Sequence, residues 1–153
     1  MNLPAPERPR HWTVYCDGSA MPNPGRMGIG AVITQPDGTR HTLSQATHTT
    51  GCNNEAELRA LTLALQALHT RGASAVVAYS DNSILVEQLG AADARPIARL
   101  APLFDEARAL LTAFEEASVQ WIPRHRNAEA DALARGALGF GPKPPPKPWK
   151  KRR

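Results

Sequence analysis

The sequence predicts an α/β fold in which helices flank a five-stranded mixed sheet whose first three strands are antiparallel. Three observations lead to this prediction. Residues 11–46 contain three runs typical of strands, separated by turn signals. Residues 58–68 then change to helical spacing, and two short apolar runs with helical segments before them complete the sheet. A chain of 153 residues is long enough for one such domain.

The first three strands form an antiparallel meander in this prediction. Apolar and polar residues alternate over 11–20, which predicts the first strand, and a loop rich in proline, asparagine and glycine follows over 21–26. Glycine and β-branched residues predict the second strand over 27–34. The Gln35-Pro36-Asp37-Gly38 turn signal then leads into a third strand over 39–46.

The rest of the domain alternates helices with strands. After Asn54 the leucines at 58, 61, 65 and 68 recur at helical spacing, and Gly72 ends this amphipathic helix. The later elements are predicted as a strand over 75–79, a helix over 82–90, a helix over 103–117, a strand over 119–122 and a helix over 127–138. Functional groups in such sheets gather at strand ends, near a change in connection direction.

The positive charge of the chain lies in its last residues. We expect a flexible N-terminus over 1–10, one domain over 11–140 and a basic, proline-rich, disordered tail over 141–153. The net charge is +4, but residues 1–142 sum to −2 because the tail carries six cations. The tail residues expected to contact nucleic acid are Lys143, Lys147, Trp149, Lys150, Lys151, Arg152 and Arg153. A solvated end or a docking segment for a partner are the alternatives.

Composition restricts the class of protein. No apolar run approaches the roughly 20 residues that a membrane-spanning helix needs, and residues 1–10 contain no apolar stretch typical of a secretory signal. Cys16 and Cys52 have no metal-ligand spacing, so we expect reduced, buried or half-buried thiols. We therefore expect a cytoplasmic protein with no membrane association, and we take a monomer as the default.

Four acidic residues, Asp17, Glu57, Asp81 and Asp131, lie at the start or end of predicted elements. Each has a structural explanation, since acids favour turns, helix N-caps and first helical turns. Together they can converge from different elements, and Glu57 shares the inward face of its helix. Burying several carboxylates together requires cations. Oxygen ligands without a histidine or thiolate cluster favour Mg²⁺ or Mn²⁺ over Zn²⁺.

The four acids stand in sequence phrases that resemble those of the type 1 ribonuclease H family, in a compact form without the basic handle of some members. The phrases are Tyr15-Cys16-Asp17-Gly18-Ser19 with Asn23-Pro24-Gly25, Asn53-Asn54-Glu55-Ala56-Glu57-Leu58, Ser80-Asp81-Asn82, and His125-Arg126-Asn127-Ala128-Glu129-Ala130-Asp131. The resemblance covers about residues 12–138. It implies the ribonuclease H-like fold and an endonuclease that cleaves the RNA strand of RNA–DNA hybrids, leaving 5′-phosphate and 3′-hydroxyl ends.

The resemblance also implies roles for individual residues. Two ions of Mg²⁺ or Mn²⁺ would be bound, with Asp17 shared by both, Glu57 and Asp81 completing one site and Asp131 the other. His125 would assist proton transfer or product release, or else contact phosphate or solvent. The residues expected at the substrate are Gly18, Ser19, Asn23, Cys52, Asn53, Asn54 and Asn82.

Two features leave alternatives open. Cys52 stands where the family often has a threonine that binds a DNA-strand phosphate, so that pocket is expected to be weaker or differently built. The substrate could instead be double-stranded RNA or an RNA–DNA junction, and a third alternative is a nucleic-acid-binding domain without catalysis. The presence of all four acids argues against the last alternative.

Overall fold

The fold is described by a computed structural model for residues 10–90 and 98–141. Its elements in chain order are β1 His11–Met21, β2 Gly25–Thr34, β3 Arg40–Gly51, α1 Asn53–Thr70, β4 Ala75–Ser80, α2 Ser83–Gly90, α3 Ala101–Thr112, β5 Glu116–Trp121 and α4 Ala128–Ala137. Short 3-10 helices at Ala98–Leu100 and Arg124–Arg126 precede α3 and α4. The predicted order of strands and helices is confirmed.

The five strands form one mixed sheet in the order β3-β2-β1-β4-β5. The first three are antiparallel, as predicted, while β4 runs parallel to β1 and β5 parallel to β4. Tyr15 of β1 lies opposite Tyr79 of β4, so both strands direct their carboxyl ends to the same edge. The change from antiparallel to parallel pairing therefore falls at β1, where Asp17 lies.

The core lies between one face of the sheet and the helices α1, α2 and α3. The four leucines of α1 that share helical spacing are fully buried, and they pack with Val14 and Cys16 of β1. Each buried leucine contributes about 1.5–3 kcal/mol through removal of apolar surface from water. This burial fixes α1, and with it Glu57, against the central strand.

Helix α4 covers the opposite face of β1, β2 and β3, at very short range. An ideal Cβ added to Gly30 would lie 2.2 Å from the Ala130 carbonyl oxygen, and one added to Gly28 would lie 2.2 Å from the Ala134 carbonyl oxygen. Because Cβ atoms do not come that close to backbone, only glycine lets the helix lie so close to β2. The same approach sets the position of Asp131.

Two predicted boundaries are wrong by five residues each, and the predicted start of β5 at 119 is wrong by three. Helix α3 ends at Thr112 instead of 117, because Phe114 turns into the core, where its ring lies at right angles to that of His69. Strand β5 already begins at Glu116. Strand β3 continues to Gly51 instead of ending at 46. Its extension contains a bulge opposite Met27, where His48 has φ 62°, and pairing with β2 resumes at Thr50.

The predicted terminal segments lie outside the described residues, except for Arg10 and Gly141. Seven residues, 91–97, also lie outside them, between α2 and the 3-10 helix that precedes α3. In the described part of the chain, no helix has both the length and the apolar character needed to cross a membrane.

Candidate active site

Three of the four predicted acids converge at the carboxyl edge of β1 and β4. Asp17 comes from β1 and is only 5% exposed, Asp81 directly follows β4, and Glu57 lies near the start of α1. One carboxylate oxygen from each of the three lies within 4.8 Å of those of the other two. Asp131 of α4 lines the same cleft, and its carboxyl is close enough to contribute to the raised pKa of Asp17. All four predicted acids thus line one cleft.

Gly18 explains how a helix and a strand can bring Asp17 and Glu57 so close. An ideal Cβ on Gly18 would lie 2.2 Å from the carbonyl carbon of Ala56 and 2.4 Å from the Glu57 nitrogen. Strand β1 and helix α1 therefore touch backbone to backbone, one residue away from each acid. Gly18 and Ser19 also line the cleft, at positions that the sequence assigned to substrate contact.

The acids disturb one another's titration. Burial, followed by repulsion from Asp81 and Glu57 and the hydrogen bond to Asp131, raises the pKa of Asp17 to about 10. Burial also raises the pKa of Glu57 to about 7, although a hydrogen bond from Asn82 and the charge of Arg124 oppose that rise. Without a cation the cluster therefore retains protons at neutral pH.

The chemistry of this donor set fits a hard divalent cation. The cleft has a volume of about 160 Å³, and the ligand atoms that converge in it are carboxylate oxygens. Mg²⁺ and Mn²⁺ prefer such ligands, and a bound cation would offset both the burial and the mutual repulsion of the carboxylates. Asp17, Glu57, Asp81 and Asp131 are the residues that could hold it.

Asparagines organise one side of the cleft. The Nδ2 group of Asn82 donates to Asn54 Oδ1 at 2.8 Å and also, over a short distance, to Glu57 Oε2. Its Oδ1 accepts from the Leu85 amide at 3.1 Å, at the start of α2. Asn82 therefore caps helix α2 and orients Glu57 with the same side chain.

A second pair of asparagines connects the Pro/Gly loop to α1. Asn23 Oδ1 accepts from the Asn53 amide at 3.1 Å, and Asn53 Oδ1 accepts from the Ala20 amide at 2.8 Å. Both bonds hold the end of β1 and the following loop against the helix. Asn53 lines the cleft from this side, while Asn54 lines an adjoining depression with Asn82 and Asp81.

Comparison with known proteins agrees with this geometry. A family profile described as reverse transcriptase-like matches residues 15–137. A ribonuclease HI of Halobacterium salinarum is 36% identical over 135 residues, which cover 87% of this chain and 67% of that protein. The crystal structure of RNase H1 from this archaeon superimposes with a TM-score of 0.79 at 32% identity, covering 84% of this chain and 98% of that one.

The chain belongs to the type 1 ribonuclease H family.

Two further structures of the ribonuclease H family extend the comparison. The N-terminal RNase H domain of a Mycobacterium tuberculosis protein has a TM-score of 0.77 at 32% identity, and it covers 84% of this chain and 98% of that one. LC11-RNase H1, solved in complex with an RNA/DNA hybrid, has a TM-score of 0.74 at 30% identity, with coverage of 84% and 96%. The chain spans only 35% of the full mycobacterial protein, which is described as bifunctional.

Arg124 is a cleft residue that sequence reasoning did not select. Arg124 and His125, which was selected, are both exposed on one short 3-10 helix, but only Arg124 lines the acidic cleft and the adjoining depression. The run from Arg124 to Arg126 showed that cations lie near Asp131. It could not show which side chain faces the acids, because successive residues of a 3-10 helix point in directions about 120° apart.

Cys52, the position that departs from the family pattern, caps helix α1. Its sulfur accepts a hydrogen bond from the Glu55 amide at 3.5 Å and one from Arg99 Nη2 at 2.9 Å. A guanidinium therefore lies beside the position where the family often has threonine. Because Cys52 and Arg99 are 47 residues apart in the sequence, no local pattern indicated this contact. The tail residues assigned to nucleic acid lie outside the described residues.

The raised pKa values predict how stability depends on pH. The folded pKa values of Asp17 and Glu57 exceed their ordinary values of 3.8 and 4.5, so the folded state binds more protons than the unfolded state from about pH 4.5 to 10. The free energy of unfolding should therefore fall as pH rises through this window. In EDTA, thermal unfolding followed by circular dichroism should give a Tm that decreases from about pH 5 to 9.

The matched variant is Asp17→Asn, which removes the carboxyl with the larger pKa shift. Its Tm should decrease less over the same pH range, and it should exceed that of the wild type most at high pH. A difference in Tm that does not change with pH would contradict the electrostatic account of the cluster.

Proposed function

We propose that this protein is an endonuclease that hydrolyses the RNA strand of RNA–DNA hybrids with the help of two divalent ions. The observation that carries the proposal is the convergence of four carboxylates in one cleft with arginines at its rim. The names of the relatives support it, since the curated ones include ribonuclease HI proteins. The LC11 complex with an RNA/DNA hybrid supports the choice of substrate.

The four acids would share the ions between them. Asp17 would contribute to both ions because it lies beside Glu57 and Asp81 and lines the same cleft as Asp131. Bound Mg²⁺ or Mn²⁺ would supply positive charge to the scissile phosphate and activate the attacking water. Hydrolysis of the bond from phosphorus to the 3′ oxygen then leaves a 5′-phosphate and a 3′-hydroxyl.

The rest of the cleft would position the substrate. Arg124 and Arg135 line the cleft with the acids, where their charges can bind phosphate oxygens. Asn53 uses its Oδ1 for the Ala20 amide, and its Nδ2 donates no hydrogen bond within the described residues. That group can donate to a 2′-hydroxyl or a base edge in the minor groove of an A-like hybrid. Arg99, beside Cys52, could supply the phosphate contact expected of the family's threonine.

Cleavage of a uniform RNA–DNA hybrid tests the proposal. The wild type should cleave the RNA strand only with Mg²⁺ or Mn²⁺, and Asp17→Asn should lose this activity because it removes the central, most buried ligand. End-labelled strands on a denaturing gel show which strand is cut and which ends result.

The same assay distinguishes the alternatives. Double-stranded RNA and a DNA duplex with one RNA–DNA junction serve as competing substrates of equal length. Faster cleavage of either would change the substrate while keeping the chemistry. Hybrid binding with no metal-dependent cleavage would overturn the proposal in favour of a non-catalytic nucleic-acid-binding domain.

Arg124 and His125 can be separated by single substitutions. Arg124→Ala should lower kcat by about 10²-fold, a typical effect of losing one charged donor at a reacting phosphate. His125→Ala is the matched variant from the same helical turn. Proton assistance by His125 predicts a loss of similar or larger size together with a changed pH–rate profile. If the Arg124 variant keeps its kcat, this guanidinium has no part in the reaction.

The tail is proposed to attract substrate through its cations. Deleting residues 142–153 should raise KM for the hybrid and reduce its dependence on salt, because six cations near the substrate release counterions on binding. The kcat should remain that of the full chain, since the deletion keeps every residue that lines the cleft in the described part of the chain. KM measured between about 50 and 200 mM salt checks this, and an unchanged KM would exclude the role.

A further inference from the structure

Asn127 is a buried polar residue to which neither the sequence phrases nor the proposed mechanism gives a role. It precedes α4 and is only 2% exposed. Asparagine at this position usually accepts a hydrogen bond from the first turn of the helix, but here the side chain makes no such bond. The Asn127 side chain therefore does not cap α4, and it makes its hydrogen bonds to other parts of the chain.

The Nδ2 group of Asn127 connects β1 to an active-site acid. It donates to the Cys16 carbonyl oxygen at 2.9 Å and to Asp81 Oδ2 at 3.1 Å. Cys16 directly precedes Asp17, so one amide group fixes Asp81 relative to the strand that carries Asp17. The two bonds use both hydrogens of the Nδ2 group.

The backbone of Asn127 extends this link to the fourth acid. Its carbonyl oxygen accepts from the Asp131 amide at 3.0 Å, and its own amide donates to the Arg124 carbonyl at 3.0 Å. One buried residue thus connects Asp81 and the strand of Asp17 to Asp131 and Arg124. These groups come from three separate parts of the chain.

The acceptor side of the amide shows why the residue is held in this orientation. Asn127 Oδ1 is buried and has no hydrogen-bond partner among the described residues. Exchanging oxygen and nitrogen would point Oδ1 at the Cys16 carbonyl and the Asp81 carboxylate, so that acceptors would face acceptors. The donors therefore determine the orientation, even though one buried acceptor remains unpaired.

We propose that Asn127 is a positioning residue that holds Asp81 in the orientation needed to bind the divalent ion. An amide suits this task because it is neutral. It fixes one carboxylate oxygen and leaves the negative charge of Asp81 to the ion, whereas a lysine or arginine would compete with the ion for that charge. Outer-shell hydrogen bonds of this kind orient metal ligands, and losing one lowers metal affinity about 10–100-fold. The inference rests on the proposed metal site.

The test is Mn²⁺ binding by isothermal titration calorimetry, without nucleic acid, for two variants. Asn127→Ser is too short to reach Asp81 but provides a favourable cap for α4, so it keeps the helix start. Asn127→Ala also removes the bond to Asp81 and offers no cap in its place. Thr62→Val is the matched control, because it removes a buried side-chain hydrogen bond, to the Leu58 carbonyl at 2.9 Å, on the middle of α1.

Both Asn127 variants should bind Mn²⁺ about 10-fold or more weakly, while Thr62→Val binds it as the wild type does even where its Tm falls. Circular dichroism and the Tm establish that each protein is folded at the temperature of the titration. On the hybrid, Asn127→Ser should lower kcat at a fixed, subsaturating Mn²⁺ concentration, because fewer molecules then hold the ion.

Wild-type Mn²⁺ affinity in a folded Asn127→Ser protein would overturn the inference and leave the proposed function intact. Equal losses of affinity in Asn127→Ser and Thr62→Val would also overturn it, since the effect would then follow stability alone. If neither the wild type nor Asp17→Asn binds Mn²⁺, the metal site itself fails, and the proposed function fails with it.

Discussion

The mutual repulsion of carboxylates in a partly buried cleft is the constraint around which this structure is organised. Asp17, Glu57 and Asp81 hold oxygen atoms within 4.8 Å of one another, and Asp131 joins them through Asp17. Such a cluster is unfavourable by itself, so it persists only because stable elements hold each acid from outside. The leucine face of α1, the central position of β1 and the close packing of α4 provide this support.

Glycines allow these elements to approach one another closely enough to bring the acids together. Gly18 lets β1 touch α1 next to Asp17 and Glu57, and Gly30 lets α4 lie directly on β2. The two contacts lie on opposite faces of the sheet, and Asp17 stands between them. A side chain at either glycine would push apart elements that carry acids. Stability of the fold and geometry of the cleft therefore depend on the same contacts.

The sequence predicts those parts of the protein that depend on local pattern. Helical spacing located α1, and the acid-bearing phrases pointed to four carboxylates that line one cleft, because each phrase carries its own local signal. The end of α3 was placed wrongly because Phe114 belongs to a core formed with residues far away in the chain. The sequence also missed three site residues, Arg124, Arg99 and Asn127, because only folding brings their partners near. The hydrogen bonds of Arg99 and Asn127 join residues that are 46 to 111 positions apart.

The distribution of charge has a consequence for how ligands cooperate. Residues 1–142 carry a net charge of −2, and four acids face the cleft that the proposed substrate, a polyanion, would enter. A metal-free cleft would therefore repel nucleic acid, whereas a bound ion would raise the affinity of the cleft for a negatively charged ligand. Thermodynamic reciprocity then requires nucleic acid to raise the affinity for the ion by the same factor. The free protein and its complex with nucleic acid would thus differ in their affinity for the ion, so that a given ion concentration would fill the cleft to a different extent in each.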